Sequence, residues 1–452
     1  MSAHIKQASG FSYSADQLQQ FTTDLLSLAK ARAATAAEAE VSEGVGHSVN
    51  VRMSEVETIE YHRDKGLSIT VFFGKQKGHA GSSDLSPAAM RDTVEKACSI
   101  ATHTAQDEFA GLADPALLAK GPFPDLDLYH PWGISVEQSI ELGKRAEAAG
   151  MAVDKRIDNS DGASVSTQDA HFCYGNSSGF IGGYPSSRQG LSCSVIASDG
   201  DIMQRDDWYT TARDFADLGD IESVGRIAGE RAIKRLNGRK LKTLDCPVLF
   251  EGPIAQGLIG HFVSAVSGGS LYRKSSFLLD SLGQQIFPEF LHIREAPHMS
   301  KAFASARFDA EGVVTRDRDV IKNGVLQGYF LGSYSARKLG MQSTANSGGN
   351  HNLVVPDTGH DFQALLKLMG RGVLVTELLG HGINMVTGDY SRGASGYWVE
   401  GGEIQYPVEE ITIAGNLKVM FKGIVAVGND VIVRGSKHCG SILIDRMTIA
   451  GD

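Results

Sequence analysis

The sequence of 452 residues lacks the features that would tie it to a membrane or to a nucleic acid. No run approaches 18 apolar residues, so nothing in it has the length of a membrane-spanning helix. Residues 1–10 contain no apolar signal core. The formal net charge is −10, which argues against a basic surface for nucleic acid or anionic lipid. We therefore expect a cytoplasmic protein without either kind of partner.

Cysteine is scarce and scattered. There are five cysteines, an odd number, and no C-x-x-C pair occurs among Cys98, Cys173, Cys193, Cys246 and Cys439. This pattern excludes a disulfide framework and favours free thiols in a reducing compartment.

Glycine is abundant where proline is not, with 52 glycines against 12 prolines and no low-complexity run. Such a composition favours many strands and turns, and the length favours two domains. Four helical patterns interrupt strand-like segments before a polar break at residues 237–240, whereas strands with glycine turns dominate after it. We predict an α+β protein: a mixed helix and antiparallel-sheet domain over 1–240, and a strand-rich, barrel-like antiparallel domain over 241–452. The helices are expected at 15–34, 86–102, 137–155 and 221–236.

Three short segments predict turns between strands. Asn323-Gly324 suits a type I′ hairpin turn, and Gly401-Gly402 lies between two strand-like runs. Asp64-Lys65-Gly66 has turn chemistry as well.

The most informative segment is 249–262, Leu-Phe-Glu-Gly-Pro-Ile-Ala-Gln-Gly-Leu-Ile-Gly-His-Phe. It predicts a buried strand that leads into a glycine-spaced helix. The carboxylate of Glu251 can bind zinc, but the segment offers no second good ligand, because the neutral amide of Gln256 binds zinc poorly. Gly252 has no carboxylate to activate a water molecule. On residue chemistry alone the segment is either a plain strand-to-helix junction or a metal site that has lost its ligands.

Together with other long stretches, this segment resembles the TldD/PmbA family over essentially the whole chain, and most closely its PmbA (TldE) type. The zinc-bearing TldD type has H-E-x-x-x-H at 251–256. The resemblance therefore implies that Glu251, Gly252 and Gln256 are degenerate zinc-site positions, and that Cys439 is a remnant of the third ligand. A small buried thiol is the alternative for Cys439. The other matching stretches are 82–87, 268–283, 333–340, 387–394 and 411–417.

The resemblance implies a non-catalytic subunit of a cytosolic zinc metalloprotease complex. A TldD-type homologous subunit would carry the zinc and the catalytic base, so no cofactor is expected in this chain. Unfolded peptides, including microcin precursors, would enter a cleft between the subunits. The isolated chain could also form a homodimer.

A glycine-rich stretch supplies our candidate peptide-cleft residues, with ordinary core packing as the alternative: Tyr390, Ser391, Arg392, Tyr397 and Trp398.

Two other functions stay open at this point. The chain is an autonomous metallopeptidase if Glu251, Cys439 and either His261 or His438 rebuild a metal site. It is a stand-alone regulatory or peptide-binding protein if no protease partner exists.

We predict that the purified chain carries no stoichiometric zinc, because positions 251, 252 and 256 lack both imidazoles and the base. Elemental analysis measures this directly. One tightly bound zinc per chain that is lost in Gln256→Ala would refute the prediction.

Overall fold

A computed structural model describes residues 10–451 of the chain. Residues 1–9, which include most of the segment without a signal core, lie outside the described residues. Within residues 10–451, no helix is both long enough and apolar enough to cross a bilayer.

The first half of the chain forms one antiparallel sheet of six strands in the order β3-β2-β1-β4-β5-β6. Four of the strands are 17 to 20 residues long, which gives the sheet room for two helix pairs on its covered face. The strands are β1 (Ala36–Arg52), β2 (Glu55–Phe73), β3 (Gln76–Ser82), β4 (Ile157–Asn176), β5 (Ile181–Asp199) and β6 (Ile202–Ala212).

The four predicted helices are confirmed with small changes at their ends. Each begins after a side chain that accepts a hydrogen bond from the first turn, a serine in three cases and Asp220 in the fourth. One helix pair covers an apolar cluster around Val41 and Ile69, and the other pair covers a second cluster around Val165 and Val195. The helices are α1 (Ala15–Ala31), α2 (Pro87–His103), α3 (Val136–Met151) and α4 (Ile221–Arg235).

The predicted turn at Asp64-Lys65-Gly66 is wrong. These residues lie inside β2 and pair with Gly44, Glu43 and Ser42 of β1. Turn chemistry is a local preference, and here the long ladder between β1 and β2 overrides it. The real turn between these strands is at Met53 and Ser54, both of which have positive φ.

A closed barrel of five strands organises the second half of the chain. Strands follow the order β14-β13-β12-β7-β17, and pairing between β14 and β17 closes the ring, with β15 added outside it. Most neighbours are antiparallel, as expected, but β7 and β12 are parallel. The strands are β7 (Leu244–Phe250), β12 (Gly372–Leu379), β13 (Asp389–Glu400), β14 (Glu403–Asn416), β15 (Ile424–Val427) and β17 (Ile442–Ala450).

A second, smaller sheet of this half has the order β10-β9-β8-β11-β16. Its strands are β8 (Ile293–Glu295), β9 (Arg318–Lys322), β10 (Val325–Leu326), β11 (Leu353–Val354) and β16 (Lys437–His438). The helices of the half are α5 (Gly252–Ala265), α6 (Gly268–Tyr272), α7 (Ser333–Lys338), α8 (Phe362–Met369) and α9 (Leu417–Lys422).

Two of the predicted hairpins are confirmed. Asn323 and Gly324 both have positive φ, as a type I′ turn requires, and they connect β9 to β10. Gly401 and Gly402, also with positive φ, connect β13 to β14. The observed architecture is thus the expected α+β fold with a barrel-like second half. A division into two domains at residues 240/241 stays a prediction.

We predict that Gly225→Ala destabilises the protein, because a Cβ at this position of α4 would lie 1.7 Å from the Ala146 carbonyl oxygen of α3. Overpacking of this kind costs about 1–3 kcal/mol. Urea unfolding measures the change.

Gly257→Ala in α5 is the matched control, since its Cβ would meet nothing within 4 Å. A helical glycine in open space should lose no stability on replacement and gain up to about 1 kcal/mol. Equal effects of the two substitutions would contradict the close approach of α3 and α4.

Candidate functional site

A polar cleft of about 410 Å³ opens at the first turn of α5. One wall comes from α5 and β12, and the other comes from residues 205–209 of β6 together with Arg231 and Arg235 of α4. Both halves of the chain therefore build this cleft.

Glu251, at the first degenerate position, is held by an arginine. It is the residue before α5, and its two carboxylate oxygens accept hydrogen bonds from Arg231 Nη1 at 2.9 and 3.1 Å. Arg231 also donates from Nε to Asp206 Oδ1 at 3.0 Å. Less than a fifth of each of these three side chains is exposed. A guanidinium group thus supplies the positive charge beside Glu251.

The electrostatics of this pair depend on burial. Burial raises the pKa of Glu251, and the charge of Arg231 offsets only part of that rise. For Arg231, burial lowers the pKa, but Glu251 and Asp206 outweigh it and the net shift is upward. The guanidinium is therefore charged at neutral pH, and it stabilises the ionised form of Glu251.

Gly252 and Gln256 pack against the segment 428–441. The Gln256 side-chain amide donates to the Ile432 carbonyl oxygen at 2.7 Å. A Cβ at position 252 would lie 3.2 Å from the Asp430 carbonyl oxygen and 3.6 Å from the Gly440 carbonyl carbon. Position 252 therefore has little room for the side chain of a catalytic base.

Cys439 lies in the same segment, next to Gly440. Its side chain is fully buried, and the thiol donates to the Gly440 carbonyl oxygen at 3.2 Å. Burial raises the pKa of this thiol to about 12, so it is protonated at neutral pH. The segment that contains Cys439 thus packs against Gly252, and the Cys439 side chain there is a buried, hydrogen-bonded thiol.

These residues do not fit a zinc ion. Glu251 is bound by Arg231, and the thiol of Cys439 donates to the Gly440 carbonyl oxygen. The His261 ring packs edge-on against Tyr390. Across residues 10–451, no three His, Cys, Asp or Glu side chains form a group that could hold a metal. The geometry gives no support to an autonomous metallopeptidase.

The structure separates the five candidate peptide-cleft residues. Arg392 lines the cleft, and its neighbour Ser391 is exposed. Tyr397 is half-buried; burial raises its pKa to about 12, and Arg231 is among its charged neighbours. Tyr390 and Trp398 are in the core, 1% and 5% exposed, so they do not form the cleft wall.

Several residues of the cleft were missed by the sequence analysis. The Arg434 guanidinium lies over the rings of Trp208 and Tyr209, 4.1 and 3.8 Å from their centroids. The signal that points to them is the run Arg-Asp-Asp-Trp-Tyr at 205–209, where charges and aromatic rings share one strand. The spacing of four between Arg231 and Arg235 on α4 is a second signal.

Comparison with protein families matches most of the chain to one family. Three models match: PmbA/TldA metallopeptidase domain 1 over residues 37–101, the central domain over 129–236 and the C-terminal domain over 243–451. The first two matched regions meet in the six-stranded sheet.

Curated relatives and a solved structure agree with these matches. Metalloprotease PmbA of Escherichia coli O157:H7 is 50% identical, with 96% of each chain covered. The PmbA homolog of Haemophilus influenzae is 48% identical over the same share, and a TldD homolog of that bacterium is 22% identical over 86% of this chain and 88% of its own. A Bacteroides thetaiotaomicron structure, described as a proposed modulator of DNA gyrase, has a TM-score of 0.92 at 26% identity, with 97% and 99% covered.

We predict that Arg231→Gln destabilises the protein at pH 7, because it leaves Glu251 buried without its partner and leaves Asp206 with only the longer contact to Arg235. Removing one member of a buried pair costs roughly 3–5 kcal/mol, and these partly exposed groups should fall near about 3 kcal/mol. The pKa of Glu251 is already raised by burial, so the loss should be largest at neutral pH and shrink as the pH falls through that raised value.

Denaturant unfolding of both proteins at pH 7 and pH 5 measures this effect. Arg145→Gln is the matched control: Arg145 pairs with Glu222 between α3 and α4, but both side chains are about half exposed. It should cost less than about 1 kcal/mol at either pH. A loss no greater for Arg231→Gln than for the control would contradict the assigned network.

Proposed function

Because the chain belongs to the PmbA/TldD metallopeptidase family, we propose that it is the zinc-free subunit of a two-subunit metalloprotease. A TldD-type subunit supplies the zinc and the catalytic base. The observation that carries the proposal is that the side chains at two of the predicted zinc-site positions bind other protein groups. Glu251 accepts hydrogen bonds from Arg231, and Gln256 donates one to the Ile432 carbonyl oxygen.

The presence of an open cleft at this site supports a functional role for it. The strand, the helix and the cleft remain, although the residues at 251, 252 and 256 do not fit a metal. Random decay of an unused site gives no reason for ion pairs that join the two halves of the protein across the cleft, as Arg231–Glu251 and Arg235–Glu377 do.

The comparisons support a partner. One bacterium, Haemophilus influenzae, has both a PmbA homolog and a TldD homolog, and both resemble this chain over most of their lengths. We infer a heterodimer of the two types in the cytoplasm, with self-association of this chain when the partner is absent.

The proposed substrate is an unfolded peptide. β6 is the last strand of its sheet, and its residues 205–209 line the cleft, so an extended peptide can pair along this edge. Arg392 contributes to the same cleft and is the candidate contact to the peptide backbone or its charges. A cleft that a second subunit closes excludes folded proteins by their size.

The experiment mixes this chain with an H-E-x-x-x-H homologue and follows digestion of an unstructured peptide. We expect the mixture to exceed the homologue alone by at least about tenfold, since neither subunit alone has a complete cleft. Arg392→Gln should raise KM in the mixture without removing zinc from the partner.

Two controls make the result interpretable. The mixture with the partner's glutamate base changed to glutamine should be inactive, which locates the chemistry. If the homologue alone is as fast as the mixture, the proposal is wrong, and this chain is a separate peptide-binding protein.

A further inference from the structure

Five arginines face the cleft, and two of them differ from the rest. Arg205, Arg231 and Arg235 each form an ion pair, with Asp161, Glu251 and Glu377 among their partners. For Arg392 and Arg434, the part of the chain that the structure describes offers no carboxylate within ion-pair distance.

Packing and one hydrogen bond fix the position of Arg434 and leave other N–H groups of its guanidinium without an acceptor in the described part of the chain. Its guanidinium packs on Trp208 and Tyr209, and Nη2 donates to the Tyr209 carbonyl oxygen at 2.7 Å. Its Nε is buried and has no acceptor among the described residues. A guanidinium group has five N–H donors, so most of them stay available.

The charges around Arg434 do not neutralise it. Asp207 is a neighbour of opposite sign, but it forms no ion pair with Arg434, and burial raises the pKa of Asp207. Burial lowers the pKa of Arg434, so the protein holds this cation at an electrostatic cost. An anionic ligand would offset that cost.

Arg392 presents a second cation on the same cleft. Its Nε makes only a long hydrogen bond, 3.4 Å, to the Leu379 carbonyl oxygen. Its neighbours are the half-buried ring of His261, whose pKa is lowered first by burial and then by Arg392, and the phenol of Tyr390. None of these neighbours is an anion at neutral pH.

The first turn of α5 adds to this positive potential. Glu251 precedes the helix but makes no capping hydrogen bond, because Arg231 engages its carboxylate. The backbone dipoles of the 14-residue helix point their positive end at the cleft, and the Glu251 carboxylate there is bound by Arg231 instead of by the helix N–H groups. Gly257, in the second turn, leaves space on this side of the helix, since no atom lies within 4 Å of the place where its Cβ would be.

We propose that the cleft binds a peptide carboxylate at Arg392 and Arg434, the two arginines of its lining without an ion-pair partner among the described residues. This inference takes peptides as ligands from the proposed function and adds their chemistry: an α-carboxylate at the C-terminus, or an Asp or Glu side chain. The chain carries a net charge of −10, so the pocket is a local exception that selects acidic groups.

The test uses the isolated full-length chain and four versions of one unstructured peptide. The C-terminus is a free acid or an amide, and a central residue is Glu or Gln. Trp208 reports binding through its fluorescence, because Arg434 packs on its ring. We expect the peptide that lacks both carboxylates to bind at least about tenfold more weakly, the loss of one charge-assisted hydrogen-bonded pair. The two single-carboxylate peptides show which source the site prefers.

Arg434→Gln and Arg392→Gln should each remove this preference, so that the four peptides bind each variant with nearly equal affinity. Arg273→Gln is the control, because Arg273 is exposed and packs on Tyr272 away from the cleft. Arg434→Lys keeps the charge but loses the planar fork, so it should restore binding only in part.

The outcomes separate this inference from the proposed function. Equal affinity for all four peptides, no binding of any of them, or a preference that survives both glutamine variants overturns the carboxylate site. The mixture with the zinc subunit can still show accelerated digestion in each of these cases. If digestion is not accelerated but the carboxylate preference is present and lost in the variants, the site stands and the protease complex fails.

Discussion

The ionic network around Arg231 is the constraint on which the cleft depends. It joins α4 through Arg231 and Arg235, β6 through Asp206, the start of α5 through Glu251 and the end of β12 through Glu377. Four elements from both halves of the chain therefore meet through charged groups that are largely removed from water. Such groups are costly to bury singly, so each side chain keeps the others in place.

Local sequence could predict those parts of the fold that are determined by residues close together in the chain. Helix starts follow from serine and aspartate caps, and two hairpins follow from residues that tolerate positive φ, because both signals act within a few residues. The turn expected at residues 64–66 failed because the partners of those residues are on β1. The parallel pairing of β7 with β12 joins strands more than a hundred residues apart, and no local pattern records it.

For the site, sequence could identify what is missing but not what replaces it. The resemblance to the TldD/PmbA family predicts that positions 251, 252 and 256 are degenerate, because their residues do not match H-E-x-x-x-H. Arg231, the partner of Glu251, is 20 residues away in the chain, and Ile432, the partner of Gln256, is 176 residues away. Only the fold brings these residues together. Glycine next to aromatic residues marks a peptide groove and a packed strand equally well, so Tyr390 and Trp398 could not be distinguished from core residues before the structure.

The carboxylates that line this cleft pose an electrostatic problem. A divalent cation compensates nearby carboxylates, and without it the carboxylates of this cleft would repel one another in a poorly hydrated space. Here the guanidinium groups of α4 supply positive charge beside the carboxylates, and Arg231 favours the ionised form of Glu251. Arginine is suited to this role because its planar group bridges two carboxylates at once, as Arg231 bridges Glu251 and Asp206. At Arg392 and Arg434, where no carboxylate among the described residues lies within ion-pair distance, the same cleft has positive charge available for an anion.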